Sequence, residues 1–144
     1  MFRLFVTSFL FSIIILFTSS AFAQDSDDFH VVHVQKWKLK SLPADNEADA
    51  FSQLLNKQSE VINSDSRVLN AYVLRHFWGA DSRDLIMITE YKNTEDLFSL
   101  NEDFDSLMEK AYSKEELDND NKLFDKYVGE HSDEIYRVVT SAKK

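Results

Sequence analysis

Valine and aromatic residues crowd residues 29–39 (FHVVHVQKWKL) with no helical period, the pattern of a strand. Pro43 breaks the chain. Ala48, Phe51, Leu54, Leu55, Gln58 and Ile62 then recur at helical spacing and predict an amphipathic helix over 44–63. Residues 69–78 (LNAYVLRHFW) and 85–91 (LIMITEY) read as two further strands, joined by a loop short enough for a hairpin. Thr94 before Glu95 and Asp96 offers a hydroxyl cap and then acids near the positive end of a helix dipole. Leu97, Leu100, Phe104, Leu107, Met108 and Ala111 continue that helix. Ser113-Lys114-Glu115-Glu116 is a capping box and predicts a separate helix carrying Leu117, Leu123, Phe124, Tyr127 and Val128, ended by Gly129. Residues 135–139 (IYRVV) read as a short last strand.

The resulting order, β-α-β-β-α(α)-β, is that of a ferredoxin-like α+β domain with an antiparallel sheet. Its strands are apolar on both parities. The second offers Leu69, Ala71, Val73 and Phe77 on one side against Tyr72, Leu74 and Trp78 on the other. Helices cover one sheet face, and a second apolar face left bare would be a large exposed patch. Another copy of the same sheet is the simplest cover, so a homodimer with a barrel-like space between sheets is expected.

The remaining composition narrows the setting. Arg3, an apolar run over 4–17 and the A-x-A ending at Ala23 have the order of a secretory signal peptide cleaved after Ala23. This predicts export to the periplasm or beyond, an acidic tail over 24–28 and one domain over 29–144. Loss of the leader removes Arg3 and takes the formal charge from −9 to −10. So acidic a chain argues against nucleic acid and, after cleavage, against a membrane surface. Much of the charge is local: 94–134 holds 14 acids and 4 bases, the pattern of a solvated outer helical face. Without cysteine there is no disulfide, thiolate metal site or Cys nucleophile.

The stretches RHFWGADSRDLIMITEY (75–91) and GEHSDEIYRVV (129–139), with the element order around them, resemble secreted bacterial members of the dimeric α+β barrel superfamily. That superfamily includes small cofactor-independent monooxygenases and haem-degrading enzymes. The resemblance implies the fold and the dimer, and it brings no catalytic motif.

Candidate chemistry sits on the strands. His33, Gln35 and Trp37 share one parity; Tyr72, His76 and Trp78 share another; Glu90 ends the third strand and Tyr136 lies on the last. Were all of these to face the inter-sheet space, aromatic walls would surround two imidazoles and a carboxylate, a pocket for a small apolar or aromatic molecule. His33 and His76 are then the candidate acid–base residues. The alternative is that aromatics simply fill the dimer core. His131-Ser132-Asp133-Glu134 is expected as a loop, either ordinary turn chemistry before the last strand or a pocket mouth that with His76 would complete a His/carboxylate set. Arg83 either grips a substrate carboxylate or staples its own hairpin loop to a neighbouring acid. No metal-ligand spacing and no haem-attachment motif is present, so no metal or cofactor is expected. The function expected is small-molecule binding, with a cofactor-independent monooxygenase or isomerase as one alternative and an envelope protein-interaction module as another.

Overall fold

The computed structural model describes residues 29–139, so the leader and the acidic tail lie outside the described residues. The elements follow the order β1 (Val31–Leu39), α1 (Asp45–Asn63), β2 (Val68–Arg75), β3 (Asp84–Tyr91), α2 (Thr94–Ala111), α3 (Lys114–Tyr127) and β4 (Val128–Arg137). The four strands form one sheet in the order β2-β3-β1-β4, and each neighbouring pair is antiparallel. This is the ferredoxin-like arrangement expected from the element order. No helix among the described residues is long and apolar enough to cross a membrane.

Helix starts follow local chemistry. The Ser113 capping box forms as expected: its hydroxyl accepts from the Glu116 N–H, and the Glu116 carboxylate accepts from the Ser113 N–H at 2.9 Å. The cap of α2 is Asn93 rather than Thr94, because the Asn93 amide oxygen reaches the Asp96 N–H at 2.8 Å.

All three helices lie on one face of the sheet, and the core beneath them falls into two separate clusters. At one end Phe51, Leu54 and Leu55 of α1 meet Leu39, Leu85, Tyr127 and Val128, with Trp37 and Phe124 packed alongside. At the other end Leu97 and Leu100 of α2 meet Val31, Val68, Ala71 and Tyr91.

Two expectations for the chain after α3 are overturned. Gly129 does not end a helix; α3 stops at Tyr127 and Gly129 is already in β4. Nor are residues 131–134 a loop, since they pair with β1 from His131↔Trp37 to Glu134↔Val34. The misreading has a physical cause. β4 is an edge strand, exposed over most of its length, so solvated His, Ser, Asp and Glu side chains cost it nothing and help discourage edge-to-edge association. The second strand is shorter than expected: it ends at Arg75, and residues 76–83 form the connection to β3.

Candidate functional site

Register assigns each candidate to a face. The pairings Gln35↔Met87 and Trp37↔Leu85 place the odd-numbered residues of β1 against the helices. The cross-strand partners of β4 do the same for His131 and Asp133. The even-numbered residues of β1, with Tyr72 of β2, Glu90 of β3 and Tyr136 of β4, point away from the helices. The expected single constellation is therefore divided. His33, Gln35, Trp37 and His131 gather on the helix side, while Tyr72, Glu90 and Tyr136 stand on the open face. The division follows from strand pairing: residues brought opposite one another share a face, and the odd set of β1 meets the even set of neither neighbour.

His76 and Trp78 join neither group, because both lie in the β2–β3 connection. Gly79 turns this connection with a φ of +143°, and the His76 ring packs so closely over it that an added Cβ would come within 2.9 Å of Nε2. Trp78 is 90 % exposed. His76 leaves β2 and His131 sits on β4, the opposite edges of the sheet, so the two do not form a shared His/carboxylate set. Arg83 is engaged by its own loop: its guanidinium donates to both Asp81 carboxylate oxygens at 3.2 Å, and Lys38 Nζ binds the same carboxylate at 2.7 Å. Those hydrogen bonds, from Arg83 first, hold the Asp81 carboxyl well below the usual carboxylate range.

On the helix side the two core clusters leave a gap, and the gap is a cavity of about 420 Å³. Its floor is the middle of the sheet, His33, Gln35 and Thr89. Trp37, Met87 and Phe124 form one apolar end, and Ile62, Tyr91 and Leu100 the other. The helices place amides over it: Gln58, Asn101 and Asn121. Each stands where the apolar stripe of its helix would otherwise continue. Gln58 appears inside the spacing of the first helix, and a polar side chain within a buried stripe is the signal from which a cavity on the helix side could have been found. Phe104, expected in the core, is 37 % exposed because it stands at the cavity wall.

A polar network fixes the floor. One oxygen of Asp133 takes His33 Nε2 at 2.8 Å and the Gln35 amide N–H at 3.0 Å. Its other oxygen meets His131 Nε2 at 3.0 Å. Burial alone would raise the Asp133 carboxyl; the hydrogen bonds from Gln35 and His33 and the charges of the two imidazoles outweigh it and bring the pKa below the ordinary value. With Nε2 committed to Asp133, the other His33 nitrogen, Nδ1, is the one left for a ligand. His131 stacks on Trp37, and Phe124 meets the same indole edge-on at 5.4 Å. The Trp37 indole N–H is buried and has no hydrogen-bond partner among the described residues. The floor thus offers an oriented imidazole between aromatic walls. Asp133 is the residue that composition and spacing concealed, since it reads as ordinary turn chemistry until β4 is seen to be a strand.

No protein-family model matches the chain, and no curated protein matches it. Solved structures do. A dimeric ferredoxin-like protein from an uncultured marine organism superposes with a TM-score of 0.55 at 14 % identity, over 83 % of this chain and 96 % of that one. The chain has a ferredoxin-like α+β fold. A candidate antibiotic biosynthesis monooxygenase from Nitrosomonas europaea superposes at 0.52 with 13 % identity, over 77 % and 91 % of the two chains.

Proposed function

We propose that this chain is an exported homodimer that binds a small apolar or aromatic molecule in the cavity between its sheet and its helices. The carrying observation is the break in the core. A volume of about 420 Å³ is within the range of small-molecule sites, and apolar ends with a few convergent polar groups are their usual lining. A planar ligand would lie between the apolar ends and donate a hydrogen bond to His33 Nδ1. The site stands on the helix side of each subunit rather than between sheets.

The dimer rests on the opposite face. Val32, Val34, Ile86, Ile88, Tyr72, Leu74 and Tyr136 form an apolar patch on it beside Lys36, Glu90 and Glu134, and Tyr72, Leu74 and Tyr136 are each more than two-fifths exposed. The structural relative from the marine organism is itself dimeric. Export rests on the leader pattern over 1–23, and the mass of the protein recovered from the cell envelope tests it by placing the new N-terminus at Gln24.

Ligand binding is tested by fluorescence. In a Trp78→Phe variant of the full chain, Trp37 is the remaining indole, and titration with a panel of planar aromatics should change its emission saturably. Emission that ignores every member of the panel would overturn the proposal.

A second reading has its own observation. The His33–Asp133 pair is an imidazole held by a carboxylate at 2.8 Å, the arrangement that orients a general base. Together with the likeness to the Nitrosomonas protein, it favours a cofactor-independent oxygenase in which His33 takes a proton from an electron-rich aromatic substrate. Oxygen uptake with phenolic substrates that disappears in His33→Ala, while the melting temperature holds, is the outcome this reading requires.

A further inference from the structure

The sheet-side cavity does not end at the helix layer. Gln58, Phe104, Asp105 and Asn121 line it and also line a groove of about 590 Å³ where α1, α2 and α3 converge, so the two spaces meet along a shared wall. Phe104 stands at that wall. It continues the apolar stripe of α2, yet it is more than a third exposed and belongs to neither core cluster. A side chain of this size between two hollows is apolar wall for whatever occupies them.

Helix geometry gives the groove a direction. Phe104, Met108 and Tyr112 follow one another at four-residue steps, so they stand in line along one face of α2 and its C-cap. From Phe104 to Tyr112 that line runs about 12 Å, at about 1.5 Å of helix rise per residue. Met108 and Tyr112 are almost wholly buried in the floor, and Leu117 of α3, half-buried, borders it. The groove is therefore an apolar track that leads away from the aromatic cavity. Its banks are polar, with Asp105 and Glu109 on α2 and Asp118 on α3.

We propose that the ligand of the sheet-side cavity is a planar aromatic molecule bearing an uncharged alkyl chain. The ring lies between the apolar ends of the cavity, and the chain passes Phe104 and runs along the track of Met108 and Tyr112. This ligand shape rests on the reading of the cavity as a small-molecule site and adds the groove to it. Methylenes laid on Met108 and Leu117 leave water, which favours a longer chain until the track ends. A carboxylate at the end of the chain would meet the acids of both banks and be disfavoured.

Two methionines report on the two spaces, Met87 lining the cavity and Met108 the groove. The full chain, labelled at its methionine methyl groups, is titrated with phenol, p-butylphenol and p-hexylphenol and followed by NMR. Phenol should shift Met87 saturably and leave Met108 unmoved. The alkylphenols should shift both, with affinity rising about two- to fourfold for each methylene the groove buries. Leu117 lines the groove and not the cavity, so Leu117→Glu should leave phenol binding unchanged and cancel the gain from the chain. The Met108 response of the parent decides even where that variant is unstable. If no phenol moves Met87, the cavity reading fails and the chain goes with it. If Met87 responds throughout while Met108 stays still, if affinity ignores chain length, or if the gain survives in a folded Leu117→Glu, ring binding stands and the alkyl chain is overturned.

Discussion

The Trp37 indole and the His131 imidazole lie face to face across the β1–β4 pair, their centroids 3.9 Å apart and their planes 20° from parallel. An edge-strand histidine thereby roofs one side of the aromatic wall of the cavity. Removing that roof should be felt locally. His131→Ala, made in a Trp78→Phe background, should shift Trp37 emission to the red as water reaches the ring. It should also cost about 0.5–1 kcal/mol of stability, the scale of an aromatic pair at a partly exposed position. Unchanged emission and an unchanged melting temperature would mean the stack contributes nothing.

Acid should weaken the fold through identifiable carboxylates. Asp65 accepts from Arg67 Nε at 2.9 Å and from a terminal guanidinium nitrogen at 2.8 Å, and the same guanidinium reaches Asp103 on α2 at 2.8 Å. These bonds, led by the Arg67 side chain, bring the Asp65 pKa below its ordinary value against the opposing effect of burial. Because the folded pKa is depressed, the stabilisation is fully present above the ordinary carboxylate value of about 3.9 and is lost as pH falls through the folded one. Glu116, whose capping bonds to Ser113 and whose pairing with Lys57 bring it down to about 2, acts in the same direction. Asp65→Asn should cost about 1 kcal/mol near neutrality, a value discounted for its partial exposure to solvent. Chemical denaturation at a series of pH values should show the gap to the parent closing as the solution is acidified. A gap independent of pH would remove the ion pair from the account.

Gly129 owes its place to close approach. A Cβ there would lie 2.8 Å from the backbone oxygen of Lys38, beside the register shift between Trp37 and Leu39 where β4 begins to pair with β1. Gly129→Ala should therefore destabilise by about 1–3 kcal/mol, the range for forcing atoms into a packed site, by displacing backbone rather than a side chain. If thermal unfolding places Gly129→Ala level with the parent, that approach is looser than the geometry indicates.

The same glycine shows where the sequence was readable and where it was not. The helix signals were local: the Ser113 box and the Phe51-Leu54-Leu55 stripe are set by neighbours a few residues apart, and both appear as expected. Gly129 looks identical whether it caps a helix or relieves a strand crossing, and only the carbonyl of Lys38, far earlier in the chain, decides between them. Asp133 was hidden for the same reason. Its partners His33 and Gln35 lie on a strand far away in sequence, and an edge strand carries no apolar alternation to reveal it. Face assignment failed at the site because both parities of β1 are populated by large side chains. Gln58, Asn101 and Asn121, polar residues set inside apolar stripes, are the local signs that the core opens into a cavity.

The open sheet face makes the last prediction. Leu74 and Tyr72 stand on it at 45 % and 43 % exposure, next to Ile86 and Ile88 of β3 through the pairings Leu74↔Ile86 and Tyr72↔Ile88. A carboxylate in this patch costs the isolated subunit little, since Leu74 touches solvent there. In a homodimer it would be buried against the same patch of a second subunit without a partner, a penalty of several kcal/mol paid twice across a two-fold interface. Leu74→Glu should therefore convert a dimer into a monomer in sedimentation equilibrium, with circular dichroism retaining the secondary structure. A parent protein that sediments as a monomer would sink the homodimer, and the same face would then be sought as the seat of a different chain. A variant that stays dimeric would leave pairing intact but move the contact to another surface, away from the β2–β3 half of the sheet.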